Sequence, residues 1–349
     1  MIATAAQLAE FLPLIERNPR IAADTEADSL HCYREKLCLL QISLPEGDFV
    51  VDPLSGNDLA PLTRALAGKE LVLHGADYDL RLLRRDLNFL PHRLFDTALA
   101  ARLLGVREFS YAALVQRYFG VELPKGSQKA NWALRPLSKQ MEAYARNDTH
   151  YLLPLAAKLE AELTRHERIE WLRQSCERAL AAAAFERERN GAEAWRIRGA
   201  GLVRGREAAV LRALWVWRDE EARRADRPAF HILRNDQLLE AAHQVVEGSA
   251  PHFRHLSERR ARGFREAWSK AMALPESEWP RFERHRRERP TREMQLAAEN
   301  LRKRRDAAAN HLAIDPAFIA PRAALDAIAA ATERADDLLA QWQRELIGV

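Results

Sequence analysis

Residues 20–27, RIAADTEA, set two carboxylates two positions apart in a short run that is apolar apart from them, Arg20 and Thr25. The run has the length and composition of a β-strand. Side chains alternate along a strand, so Asp24 and Glu26 point to one face. Two uncompensated acids on one face of an apolar strand are costly unless a cation or hydrogen bonds satisfy them. The fold must therefore cover this strand while keeping one of its faces polar. Taken alone, DTE is a short motif whose ordinary reading is a solvated strand end.

Three more side chains join this pair within the first 150 residues. Asp79, in LHGADYDLRLL, follows the strand-like ELVLH at a strand-to-helix passage, with Asp77 as its neighbour. Either acid alone reads as a helix cap. Tyr144 and Asp148, in MEAYARNDTHYLL, are four apart on a helical pattern and share a face. Alone, they read as a half-buried tyrosine and an exposed polar residue. Together, four carboxylates from three elements can hold two divalent cations against a phosphate, the equipment of metal-dependent phosphodiester hydrolysis. One cation would be held by Asp24, Glu26 and Asp148 and would lower the pKa of a bound water. A second would rest mainly on Asp24, with Asp79 supporting it through its water shell. Tyr144 would orient the attacking water. Oxygen ligands favour Mg²⁺ or Mn²⁺ over zinc.

Around these residues strand and helix signals mix. LCLLQISL and GDFVVD read as strands, and LFDTALAARLLG as a strand end passing into a helix. Ser110 is placed to cap YAALVQRYFG and Gly120 to stop it. Ser138 is placed to cap the helix through KQMEAYARNDTHYLL, which Pro154 must kink or divide because it lacks an amide donor. This pattern predicts a layered α/β domain. Beyond about residue 170 the strand signals nearly vanish. AWRIRGAGLVRG, with Gly199, Gly201 and Gly205, reads as a junction. REAAVLRALWVWRDEEARRAD is a strong helix with apolar positions at Leu211, Leu214, Trp215 and Trp217, and Arg322 to Leu346 reads as one long helix. Prolines 275, 280 and 290 suggest two small helical domains with a boundary between them.

With 349 residues, two or three domains are expected. No stretch approaches the roughly 18 apolar residues of a membrane span. The start has no basic head followed by an apolar run, so it does not read as a secretory signal. Cys32, Cys38 and Cys176 form no CxxC pair and suggest neither a zinc site nor a disulfide framework. A cytoplasmic protein is the expectation. The net charge of +4 permits a polyanionic partner. Six arginines between Arg281 and Arg292, and LRKRR at 301–305, concentrate that charge. Their ordinary reading is a solvated helix surface, and a phosphodiester-cleaving core favours nucleic acid.

DTEADSLHCYREKLCLLQIS, HGADYDLRLL and YARNDTHYLLPL, in this order, resemble the three motifs of the DEDD superfamily of 3′-to-5′ exonucleases. The tyrosine in the third marks the subclass, and the closer resemblance is to the bacterial ribonuclease D family. LFDTALAARLLG and LPKGSQKANWALRPLSKQMEAYA are similar to the same family, and the likeness covers residues 15 to 180. LRALWVWRDEEARRADRPAFHILRNDQLLEAA is similar to a helicase-and-RNase-D C-terminal (HRDC) domain, and Arg292 to Leu346 resembles a second, more divergent one.

The resemblance implies a ribonuclease H-like mixed-sheet exonuclease domain (1–195), followed by two all-helical HRDC-type domains (205–280 and 285–349). It implies a two-metal 3′-to-5′ exoribonuclease that releases 5′-mononucleotides and trims structured RNA with a free 3′ end, notably tRNA precursors. It assigns catalysis to Asp24, Glu26, Asp79, Tyr144 and Asp148, with the four acids as metal ligands. His74 and Asp96 fall at family-like positions, Asp96 as a supporting or structural residue. Leu30, His31, His74, Gln128 and Trp132 could meet the terminal nucleotides, Trp132 by stacking or simply as core. Lys125, Lys129, Arg284, Arg286 and Arg287 are candidate phosphate contacts. All site residues lie in one chain, so a monomer is expected. Competing readings are an exonuclease acting mainly on single-stranded DNA, since the acids are indifferent to the sugar, and a non-catalytic RNA-binding protein with a relict site.

Overall fold

A computed structural model describes residues 1–124, 126–185, 191–281 and 290–349. Its five strands are β1 (Arg20–Ala27), β2 (Leu37–Leu44), β3 (Gly47–Val51), β4 (Glu70–Leu73) and β5 (Arg93–Asp96). They form one mixed sheet in the order β3-β2-β1-β4-β5. β1 lies at the centre, antiparallel to β2 and parallel to β4. β2, LCLLQISL, is apolar but for Gln41 and Ser43, and every residue of it is buried.

Eight helices accompany the sheet: α1 (Ala5–Arg17), α2 (Ala60–Ala67), α3 (Asp77–Leu87), α4 (Thr97–Leu103), α5 (Tyr111–Phe119), α6 (Lys139–His150), α7 (Leu152–Arg165) and α8 (Ile169–Ala184). The capping signals act as the sequence indicates. The Ser110 and Ser138 hydroxyls accept from the amides of Ala113 and Met141, and Gly120 ends α5 at φ +72°. Pro154 divides rather than kinks, with α6 stopping at His150 and α7 restarting at Leu152.

The compact units do not follow chain order. One holds Met1–Ala27, Lys36–Phe185 and the C-terminal helices α13 (Arg292–Leu312), α14 (Pro316–Ile319), α15 (Arg322–Ala330), α16 (Ala335–Leu338) and α17 (Gln341–Ile347). The other holds Asp28–Glu35 with α9 (Gly205–Arg224), α10 (Ala229–Ile232), α11 (Asn235–Val246) and α12 (Glu258–Met272).

In the first unit α13–α17 share a hydrophobic core with the sheet and its helices. Trp342 stacks on Trp171 of α8 at 5.0 Å, and its indole N–H donates to Ser175 Oγ at 3.2 Å. Arg168 donates to the carbonyls of Leu103 and Leu312, tying α8 to the ends of α4 and α13. The run from Arg322 to Leu346 is not the single helix expected. Ala331 and Leu339 are extended and break it into α15, α16 and α17. The alanine-rich composition suits helix throughout, but these two bends carry Trp342 onto α8. In the basic run 301–305, Arg304 donates to the carbonyls of Ile347 and Gly348, and Arg305 to that of Ala320. Both guanidiniums are committed to closing the C-terminal helices.

The second unit is built on α9, whose Leu211, Leu214 and Trp217 are buried as the helical spacing indicates. Two charged residues of α9 are buried as well. Arg218 donates to the Leu233 carbonyl at 3.0 Å and to Asn235 Oδ1 at 2.8 Å. Glu221 accepts from Arg224, Arg259 and Arg260. Pairing of this kind is what makes a buried charge tolerable. Tyr33, from the segment after β1, donates its hydroxyl to Asp219, and its amide donates to Asp226. Among the described residues no helix is long and apolar enough to cross a membrane.

Gly105, just after α4, has φ +76°, and a β-carbon there would collide with the Ala313 carbonyl oxygen. Both partners are backbone, so neither can swing aside. Gly105→Ala should lower stability by about 2 kcal/mol or more. Gly68→Ala, where a β-carbon meets nothing within 4 Å, should be neutral or mildly stabilising. Urea midpoints of the two variants check this, and equal midpoints would mean that the α4–α13 approach is absent in solution.

Candidate active site

Asp24 and Glu26 share a face of β1 and are each partly buried. The intervening Thr25, 7% exposed, points the other way. α6 brings Asp148 to the face of Asp24 and Glu26. Carboxylate oxygens of Asp24, Glu26 and Asp148 all lie within 4.8 Å of one another. α6 is locked where it is. The Ser43 hydroxyl donates to Thr149 Oγ1 at 2.7 Å inside the core, His150 meets Asp48 at 2.7 Å, and Arg146 donates to the Asp48 carbonyl.

Asp79 arrives on the first turn of α3, 6% exposed, and accepts from the Thr25 hydroxyl. It therefore stands outside the close triplet, although its charge is felt by Asp24 and Glu26. Asp96 holds the approach to α3. Its two oxygens accept from the amides of Gly75 and Ala76 at 2.9 Å, and Oδ1 also accepts from those of Ala98 and Leu99. It acts as a brace that positions Asp79, and no metal ligation is needed to explain its burial.

The electrostatics follow from crowding. Burial, then the charges of Asp79, Asp148 and Glu26, raise the Asp24 pKa well above the carboxylate range. Burial, then Asp148 and Asp79, push Glu26 up to about 9. Burial lifts Asp148 to about 7, against a hydrogen bond from Tyr144, and Asp79 to about 6, against the one from Thr25. Three oxygen donors this close, with no cationic side chain among the causes of their shifts, fit a hard divalent cation.

Tyr144 stands beside the triplet. Its hydroxyl bonds to Asp148 and to Gln128, and burial raises its pKa, so the phenol stays protonated. Trp132 lies 6.0 Å from the Tyr144 ring but is only 1% exposed, packed with Cys38, Leu39, Val50 and Leu137. The structure places this indole in the core, behind Tyr144, and not on an open stacking surface. Arg135 fixes the loop that carries both Gln128 and Trp132, by a two-pronged bond to Asp52 at 2.7 Å and a bond to the Trp132 carbonyl.

The remaining candidates are scattered. His74 bonds to Thr97 Oγ1 at 2.9 Å. Leu30, 39% exposed, and His31 belong to the segment Asp28–Glu35 of the second unit. Lys129 is exposed. Lys125, Arg284, Arg286 and Arg287 lie outside the described residues. Two supporting residues carried no sequence signal. Thr25 holds Asp79, and the Tyr111 hydroxyl donates to the Asn147 carbonyl and accepts from the Tyr151 amide, bracketing Asp148. A DTE tripeptide hints at Thr25 only once the strand's two faces are known to be occupied by different helices.

Residues 1–164 match a 3′-5′ exonuclease family model, and residues 207–245 match the HRDC domain. The chain is 31% identical to ribonuclease D of Pseudomonas paraeruginosa over 273 residues, 75% of this chain and 72% of that one. It is 36% identical to ribonuclease D of Sphingobium indicum over 251 residues, 69% of this chain and 63% of that protein. The matched part thus spans less than two thirds of the Sphingobium relative. The crystal structure of Escherichia coli RNase D superposes with a TM-score of 0.71 at 24% identity, covering 100% of this chain and 96% of that one, and so shares the fold.

The raised carboxylates have a thermodynamic consequence. A carboxyl whose pKa is raised on folding binds more protons in the native than in the unfolded state. Stability then falls as pH rises from the unfolded value towards the folded one. For Glu26 the window runs from 4.5 to about 9, and for Asp148 from 3.8 to about 7. The metal-free protein should lose thermal stability from about pH 5 to pH 9. Mn²⁺ or Mg²⁺ should restore it most at the alkaline end, where the ligands are held charged. Asp24→Asn should flatten the metal-free profile. Melting scans in EDTA and in Mn²⁺ check this, and a metal shift of the same size at pH 5.5 and 8.5 would contradict it.

Proposed function

The chain belongs to the ribonuclease D family, a DEDD-type 3′-5′ exonuclease domain joined to an HRDC domain, and on that footing we propose that it is a metal-dependent 3′-to-5′ exoribonuclease. The observation that carries the reading is the convergence of Asp24, Glu26 and Asp148 within 4.8 Å, with the Tyr144 hydroxyl bonded to Asp148. Two Mg²⁺ or Mn²⁺ ions would supply Lewis acidity and a more acidic water. Asp24, Glu26 and Asp148 would hold the first, and the second would rest mainly on Asp24, with Asp79 supporting it through its water shell.

The protein's own groups have separable tasks in this proposal. Tyr144 is protonated, so it orients the attacking water by hydrogen bonding and is not the base. Gln128 holds the phenol in line. Thr25 and Asp96 keep Asp79 from swinging towards the triplet. The 3′ oxygen leaves, and 5′-mononucleotides come off one at a time from a free 3′ end.

Escherichia coli RNase D is described as an exoribonuclease involved in structured RNA processing, and we carry that substrate class over, with tRNA precursors as its natural members. Leu30, His31, Lys129 and the arginines between 281 and 292 are the proposed contacts to RNA. The HRDC match over 207–245 supports the first helical module, and we read α13–α17 as a second, divergent one. The protein would act in the cytoplasm as a monomer.

Asp24→Asn or Asp148→Asn should lower turnover on the order of 10²-fold or more while the fold survives. Single-turnover hydrolysis of 5′-labelled and 3′-labelled RNA in Mg²⁺, Mn²⁺ and EDTA reads this. Mononucleotides released first from the 3′ label support the proposal. Near wild-type rates in either variant, or metal-independent cleavage, would sink it. Tyr144→Phe keeps the ring and loses the hydroxyl, so it should cut the single-turnover rate far more than RNA affinity. An unchanged rate would leave Tyr144 a packing residue. Blocking the RNA with a 3′-phosphate should inhibit strongly, and efficient cutting of circular RNA would exclude an exonuclease.

A further inference from the structure

A pocket of about 470 Å³ is lined by His74, Gly75, Ala98, Arg107, Phe109 and Ala113, with Glu108 and Ser110 at the same loop. Its volume falls within the range that seats a nucleotide-sized ligand. Gly75, Ala98 and Ala113 are small, which keeps the wall flat enough for a planar group to approach. Phe109 is 38% exposed, unusual for a phenylalanine in a unit with a large core, and the Arg102 guanidinium sits 5.4 Å from its ring centroid. Arg107 is exposed on the same loop.

His74 gives the pocket a polarity that can be worked out. The Thr97 hydroxyl donates to the Leu73 carbonyl at 3.1 Å. Its oxygen is therefore free to accept from His74 Nδ1–H at 2.9 Å. Burial lowers the His74 pKa, so the ring is neutral. With the proton on Nδ1, Nε2 is the ring's acceptor. A neighbouring hydroxyl or amino group is what such an atom takes. The pocket also lies one side chain from the chemistry. The His74 ring is 5.7 Å from that of Tyr111, whose hydroxyl bonds to the backbone on either side of Asp148.

We propose that this pocket seats a nucleoside of the substrate strand. Its base stacks on Phe109, His74 Nε2 accepts from its ribose 2′-hydroxyl, and Arg107 reaches the adjoining phosphate. The assignment rests on the exoribonuclease reading for its ligand, and it adds where the strand is gripped and how ribose is told from deoxyribose. Aromatic stacking is tolerant of base identity, whereas a 2′-hydroxyl contact selects RNA.

The test uses the full-length protein and fluorescein-labelled single-stranded RNA and DNA hexamers, with binding read by anisotropy in EDTA, where no turnover occurs. Phe109→Ala should weaken RNA binding about tenfold, and Phe109→Trp should restore it. Arg107→Gln should lower the slope of log affinity against log salt by about 0.7, the share of one phosphate contact on a single strand. The wild-type protein should prefer the RNA hexamer. Adenosine monophosphate should displace the hexamer only weakly, and efficient displacement would reassign the pocket to the released mononucleotide. Unchanged affinity and salt slope in Phe109→Ala and Arg107→Gln would overturn the proposal, as would failure of Phe109→Trp to rescue. Equal binding of the DNA hexamer would overturn the 2′-hydroxyl contact. Lost binding in the variants of a protein that hydrolyses nothing would keep the pocket and remove the exonuclease reading. Normal hydrolysis with unaltered binding would do the reverse.

Discussion

Three carboxylates held within 4.8 Å of one another are a repulsive arrangement that a folded chain has to enforce. Left to themselves, Asp24, Glu26 and Asp148 would separate or take up protons, and their raised pKa values record that tendency. Much of the first unit acts as the clamp. β1 is central, with a partner strand on each side, so Asp24 and Glu26 cannot recede. α6 is bolted to β2 and β3 through Ser43, Thr149, Asp48 and His150, so Asp148 cannot rotate away. A divalent cation turns this cost into affinity, because it binds the charged form that burial otherwise disfavours.

The clamp has a second layer that separates the ligands by function. Alternation along β1 sends Thr25 to the face opposite the triplet, where its hydroxyl holds Asp79. Asp96 then caps α4 and fixes the turn that starts α3. Asp79 thus sits close enough to influence Asp24 yet outside the triplet. The site is one tight group of three acids able to hold a divalent cation, with a fourth held back by its own brace.

The parts of this arrangement differ in how they can be read from residues alone. Alternation, helical spacing and capping depend on neighbours along the chain, so the five strands, the Ser110 and Ser138 caps and the pairing of Tyr144 with Asp148 are legible in the sequence. Trp132 is not, because an indole in this stretch of sequence looks the same whether it faces solvent or core. Its 1% exposure is set by Cys38, Leu39 and Val50, which are far away in sequence. The bends at Ala331 and Leu339 are equally silent, since alanine-rich segments favour helix and only the docking of Trp342 on Trp171 overrides that preference. The return of α13–α17 to the sheet unit, and the capture of Asp28–Glu35 by the helical one, are long-range events of the same kind.

The central claim is that the Asp24–Glu26–Asp148 group is built for a divalent cation. Its most direct test is anomalous diffraction from crystals soaked in Mn²⁺ with a short phosphorothioate RNA. A manganese peak ligated by Asp24, Glu26 and Asp148, lost in Asp148→Asn crystals, is the result this account predicts. Well-ordered carboxylates with no manganese among them, at a concentration that labels other sites, would contradict it.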